Sequence, residues 1–252
     1  MFTSKKLLKQ KKISHGFFNK NGGKSLGIYK SLNCGIGSND KKNKIEQNLK
    51  IVKNCIGKKS KKIFLPYQIH SNKFVFINKK SNLSKKIKAD AIITDQKRQP
   101  IAVLTADCVP ILLYDHKKNM IAAIHAGWRG AFKGIIKKVL SFMFKKGCKK
   151  DSIIAAIGPC IKQKSYKVKE DLRKKFIKKN KQNKFFFKKK NNIIYFDLPN
   201  FIRYQIRLNK ITKIDMLNID TFERKNNFFS ARLSQKLKHD DYGRNISIIM
   251  IN

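Results

Sequence analysis

The chain has 252 residues, enough to bury a sizeable core, and carries a formal net charge of +44. Its five cysteines are irregularly spaced and form no CxxC pair, which argues against a disulfide framework and a zinc ribbon. No apolar run approaches the ~18 to 20 residues needed to cross a bilayer, and the N-terminal MFTSKKLLKQKKISHGFF lacks the apolar core of a secretory signal. A cytoplasmic protein of one domain spanning 1–252, with no membrane partner, is therefore expected. Only eight of the 59 basic residues are arginines, and the lysines run along the whole chain beside Asn and Ile. That is a drift towards AT-rich codons laid on solvent-exposed faces, not the clustered Arg and stacking aromatics of a nucleic-acid surface. No specific nucleic-acid partner is expected, although the field would steer anionic substrates inward.

In chain order, a helix over 43–56 places Ile45, Leu49, Val52 and Ile56 on one side. Short β-branched runs then predict strands at 63–69, 73–77, 91–94, 101–105, 111–114 and 120–124. From Gly130 a helix carries Phe132, Ile135, Ile136, Val139, Leu140 and Met143 at helical spacing, with Gly147 as its C-terminal cap. A strand follows at 152–157. The Lys/Asn-rich segment 174–192 reads as a helix end followed by a mobile surface loop. Asp197 is a good N-cap for a helix with Pro199 in its first turn and a stripe through Leu198, Phe201, Ile202 and Leu208. Strands at 213–217 and 246–251 close the chain. The mixture predicts an α+β fold of mixed sheets flanked by helices.

Three strand-like runs end in residues with metal or nucleophile chemistry: YQIH in His70, LTADC in Cys108 and AAIHAGW in His125. Strand ends meet on one rim of a sheet, and two imidazoles with one thiolate form a zinc shell that leaves a fourth position open. Their spacings of 38 and 17 residues match no local metal motif, so their meeting depends on the fold. Isolated buried His and Cys residues are more often satisfied parts of a core. In HAGWRG, glycines around Trp128 and Arg129 allow a tight strand-to-helix turn where Arg129 could clamp phosphate; an ordinary turn with a surface arginine is the alternative. Asn33 in SLNCG and Asp90 in KADA are candidates for ribose or base contacts, each with a turn or strand cap as the alternative, and Arg232 in FFSARL is a further pocket candidate.

The ordered set YQIHSN, ADAIITD, TADCVPILLYD, AAIHAGWRG, AAIGPCI, YFDL, FFSARL and YGRNISIIMI resembles the purine nucleoside phosphorylase / polyphenol oxidase (laccase-domain, YfiH-like) family over nearly the whole chain. The resemblance implies a catalytic zinc held by His70, Cys108 and His125. It also implies phosphorolysis of adenosine, inosine, guanosine and methylthioadenosine, and deamination of adenosine. Older family names imply, as the alternative, a copper-dependent polyphenol oxidase. Asp220-Thr221 stands where relatives often have Cys-Thr, and Leu233 where they often have Arg, which puts substrate contacts near the C-terminus in question. A metal-free cysteine hydrolase, with Cys108 activated by His125, is a rival enzyme reading. A basic RNA-binding module is the non-enzymatic one, and oligomeric state stays open.

Overall fold

A computed structural model of the chain describes residues 1–81 and 87–252. In chain order the strands are β1 (Ile13–Phe17), β2 (Phe74–Ile77), β3 (Ala91–Thr94), β4 (Ile101–Thr105), β5 (Val109–Asp115), β6 (Met120–Ala126), β7 (Ile153–Ile157), β8 (Lys167–Val168), β9 (Phe187–Lys190), β10 (Ile193–Phe196), β11 (Ile214–Met216) and β12 (Asn245–Ile251). The helices are α1 (Lys5–Leu8), α2 (Lys42–Ile56), α3 (Trp128–Phe132), α4 (Ile135–Lys145), α5 (Glu170–Lys179), α6 (Leu198–Leu208) and α7 (Ala231–Lys236).

A six-stranded mixed sheet, in the order β11-β7-β5-β6-β3-β2, forms the centre. Its inner strands β7, β5, β6 and β3 are buried throughout and largely apolar because both faces are covered. Successive side chains point to opposite faces. Ile111, Leu113, Ala122 and Ile124 pack against Ile136, Val139 and Leu140 of α4 and Phe201 and Ile202 of α6. Leu112, Tyr114, Ile121 and Ala123 pack instead against Ile101, Val103, Ile249 and Ile251 of the three-stranded β1-β12-β4 sheet. The observed mixed sheets and flanking helices match the expected class. None of the described helices is long and apolar enough to cross a membrane.

Several expectations are corrected. Segment 63–69 is not a strand: it makes isolated bridges at Phe64 to Ile101 and at Tyr67 to Lys88. Pro66 lies between them without an N–H to donate, while Ile63 and Leu65 pack against the apolar cluster that α2 shares with β4 and β12. The helix expected from Gly130 is two, α3 and α4, because Gly134 between them takes a left-handed φ of 79°. Gly147 does act past the end of α4, at φ 87°, and Cys148 N donates back to Met143 O. On α6 the buried stripe runs through Ile206, and Leu208 is exposed.

The segment 174–192 begins with the expected helix end but is more regular beyond it than a loop. It carries the end of α5, a 3₁₀ turn over Lys181–Phe186 and strand β9. Phe176 is fully buried, with ring contacts to Phe132, Phe187, Phe196 and Phe201, so the phenylalanines anchor what the lysines around them disguise.

Candidate metal centre

The β5–β6 hairpin accounts for the 17-residue spacing. Its register pairs Pro110 with His125 and Val109 with Ala126, so Cys108, one residue before β5, comes beside Gly127. His70 arrives from the turn before β2, and the pairing of β2 with β3 and of β3 with β6 carries it to the same rim. The ligand atoms of His70, Cys108 and His125 all lie within 4.8 Å of one another. The two imidazoles meet edge to face, with centroids 4.8 Å apart at 82°. Gly127 makes room for this. A Cβ there would stand 2.8 Å from Cys108 Sγ and 3.2 Å from His70 Cδ2.

Asp90 organises both histidines from behind. Its Oδ1 lies 2.9 Å from His125 Nδ1, and it accepts from His70 N at 3.0 Å. Ser71 donates to Oδ2 twice, from N at 2.6 Å and from Oγ at 2.7 Å. Burial works against the charge, but the bonds from His125 and Ser71 hold the carboxyl below its ordinary range. A proton on Nδ1 facing Asp90 leaves His125 Nε2 with its lone pair towards the cysteine, the arrangement of a carboxylate–histidine pair behind a metal. His70 itself stands at φ 55°, a left-handed backbone held by those bonds to Asp90.

Cys108 and His125 each favour the charged form of the other. Burial pushes the Cys108 thiol up, but the charge and hydrogen bonds of His125 and His70 outweigh it and bring it down to about 6. Burial depresses His125, yet Cys108 and Asp90 raise it to about 9.

A cavity of about 350 Å³ opens on Cys108 and is lined by Asp107, Ile161, Tyr166, Arg232 and Tyr242 among others. A wider groove of about 680 Å³ shares Tyr166 and Arg232 with it and adds Trp128, Lys167 and Lys175. Arg129 is exposed, its guanidinium 4.9 Å from the centroid of the Trp128 ring, and Arg232 lies 5.5 Å over Tyr166.

The chain thus brings together His70, Cys108 and His125, with Arg232 on the adjoining cavity wall and Arg129 beside the groove. Two other candidates are corrected. Asp90 is fully buried with both oxygens spent on the protein, so it reaches the site through His125 and not as a ribose or base contact. Asn33 is also fully buried, its Oδ1 accepting from Gly35 N and Arg244 N and its amide donating to Ser38 and Asp40; it is a turn residue. Asp107 escaped the sequence reading, because nothing about one aspartate before a cysteine shows that it will adopt a left-handed φ of 87°.

A family model described as multi-copper polyphenol oxidoreductase laccase matches residues 14–252. The chain belongs to this laccase family. It is 33% identical over 233 residues to a Haemophilus influenzae protein named purine nucleoside phosphorylase, the alignment covering 90% of each chain. A Bacteroides thetaiotaomicron protein of the same name is 33% identical over 174 residues, 66% of this chain and 64% of that one. The fold is similar to the crystal structure of Bacillus licheniformis hypothetical protein YfiH, with a TM-score of 0.86 at 25% identity over 95% of this chain and 93% of that one.

The laccase family's name implies several coppers. Among the described residues there is one group of three metal-capable side chains, the His70, Cys108 and His125 set. Two imidazoles and a thiolate suit zinc or a single copper, and the space left by Gly127 lets them close on one ion, but a multi-copper cluster has no further donors there. Of the family departures, Asp220 is absorbed locally: it accepts from Ser165 Oγ at 2.7 Å and Lys162 N at 3.3 Å. Nothing in the structure explains Leu233.

Proposed function

We propose that the chain is a zinc-dependent purine nucleoside phosphorylase that also deaminates adenosine, acting at the cavity beside His70, Cys108 and His125. The observation that supports it most is the meeting of these three side chains next to an open cavity, in a chain aligned over 90% of its length with a protein named purine nucleoside phosphorylase. A zinc ion held by the three would supply Lewis acidity at neutral pH.

The chain's own residues do the rest. Asp90 fixes the tautomer of His125 and the turn of His70. Tyr166 and Trp128 offer aromatic surface to a purine, and Arg232 and Arg129 offer charge-assisted bonds to phosphate oxygens. In phosphorolysis a phosphate oxygen bonds to the ribose C1′ as the bond from C1′ to N9 breaks, and the purine leaves with a proton. In deamination water adds at C6 and ammonia leaves.

Product analysis of adenosine incubated with and without phosphate tests both reactions. Adenine with ribose 1-phosphate is expected only when phosphate is present, and inosine with ammonia in either case. Absence of all four products would overturn the reading. Arg129→Ala is expected to weaken the phosphate dependence, and an unchanged dependence would remove Arg129 from its role.

A second reading draws on the lowered Cys108 thiol, which with His125 makes the thiolate–imidazolium pair of a cysteine nucleophile. Full activity after metal removal by a chelator would favour it.

A further inference from the structure

Asp107, immediately before Cys108, has a backbone at φ 87°. Such a conformation is strained for a non-glycine residue and persists only when its surroundings dictate it. Three distant segments do so here. Its carbonyl accepts from Ile161 N at 3.0 Å. Its Oδ1 accepts from Thr221 Oγ1 at 2.7 Å, and its Oδ2 from Ser230 Oγ at 2.9 Å and Arg232 N at 2.7 Å. Ser230 also caps α7, so the same carboxylate secures the turn that presents Cys108 and the turn that starts the helix bearing Arg232. Asp107, Cys108 and Arg232 line one cavity.

We infer that Asp107 is a positioning residue that fixes Cys108 and Arg232 at a set separation across the cavity, and that it exchanges no proton with substrate. A buried carboxyl, pushed up by its burial and facing a cavity, is also what a general acid looks like. The bonding decides between the two: both oxygens are committed to protein donors, three in all. Only the identity of the molecule in the cavity rests on the nucleoside reading above.

The two roles part on the Asn variant. In Asp107→Asn the amide oxygen can accept from Ser230 and Arg232 N while the amide nitrogen donates to the Thr221 hydroxyl, which is able to accept. Asp107→Ala retains none of these bonds. The first readout is alkylation of Cys108 by iodoacetamide in chelator-treated protein, measured by mass spectrometry against the exposed Cys55 as internal reference. In Asp107→Ala the Cys108 rate is expected to fall on the order of tenfold, and Asp107→Asn to recover most of it. With adenosine and phosphate, the Ala variant should raise KM more than it lowers kcat, and the Asn variant should again recover.

An unchanged Cys108 rate in Asp107→Ala would overturn the inference. So would an Asn variant as impaired as the Ala variant, which would give the carboxyl a proton-transfer role. Should Asp107→Ala not fold, Thr221→Val and Ser230→Ala each remove one donor and must shift the Cys108 rate and KM in the same direction; no shift overturns the inference. A wild type that converts no nucleoside would end the nucleoside reading, while the alkylation comparison would still decide the role of Asp107.

Discussion

The two histidines of the candidate metal centre reach the same place by opposite means. His125 belongs to a central strand, is almost fully buried, and is oriented through its own ring by Asp90. His70 lies on an exposed turn, and Asp90 orients it only through the backbone, by accepting from the N–H groups of His70 and Ser71. One carboxylate therefore pre-organises a buried ligand and an exposed one together. The difference teaches that the sheet supplies two of the three positions, Cys108 and His125, and that the third depends on a single buried anion.

Removing that anion should have the largest effect. Asp90→Ala leaves His125 without its partner and the 69–71 backbone without an acceptor, and is expected to weaken metal binding by about 10–100-fold and to cost about 3–5 kcal/mol of stability. Metal titration and chemical denaturation read these two losses. A variant that kept wild-type affinity would show that the sheet alone sets the site. Gly127→Ala comes next. Its backbone, at φ −73°, tolerates alanine, so the cost is the overlap of the new Cβ with Cys108 Sγ and His70 Cδ2. About 1–3 kcal/mol is expected, appearing as weakened metal affinity in the same titration.

The pH behaviour of the metal-free protein separates the histidines further. Burial raises the Cys108 thiol, but His125 and, less strongly, His70 bring it down to about 6. Alkylation of Cys108 should hold steady from pH 9 down to neutrality and fall below about pH 6. His125→Ala should move that midpoint towards the ordinary thiol range by more than His70→Ala does; equal shifts would contradict the asymmetry. Stability should behave differently. The Cys108 contribution is lost as pH falls from 9.0 through about 6, and the His125 contribution as pH rises from 6.5 through about 9. Across that window the folded pair and the unfolded pair each bind one proton, so the two trends offset and the pair adds little slope to stability. The smallest effect is expected from Ser71→Ala, which removes one bond to Asp90 and costs about 1 kcal/mol. Hydrogen exchange should quicken in the 69–73 turn and not in 122–126.

The same asymmetry governs what was legible in the sequence. The strands at 111–114 and 120–124 announce themselves because burial on both faces demands apolar residues, and the β5–β6 hairpin they belong to makes the meeting of Cys108 and His125 a matter of register. The stretch at 63–69 has strand-like composition yet pairs only at two bridges, since a proline interrupts its donors. Among the phenylalanines of 174–192 the signal was present but masked by lysine. Asp90 and Asp107 show the limit for the site: each is one acidic residue in its sequence neighbourhood, and its role comes from partners that only the tertiary fold supplies, as far away as Arg232.

Metal analysis of the purified protein, wild type beside Cys108→Ala, is the most direct test. About one zinc per wild-type chain and none in the variant is the predicted result. Stoichiometric copper, or a zinc content that survives the loss of Cys108, would contradict a zinc centre built from His70, Cys108 and His125.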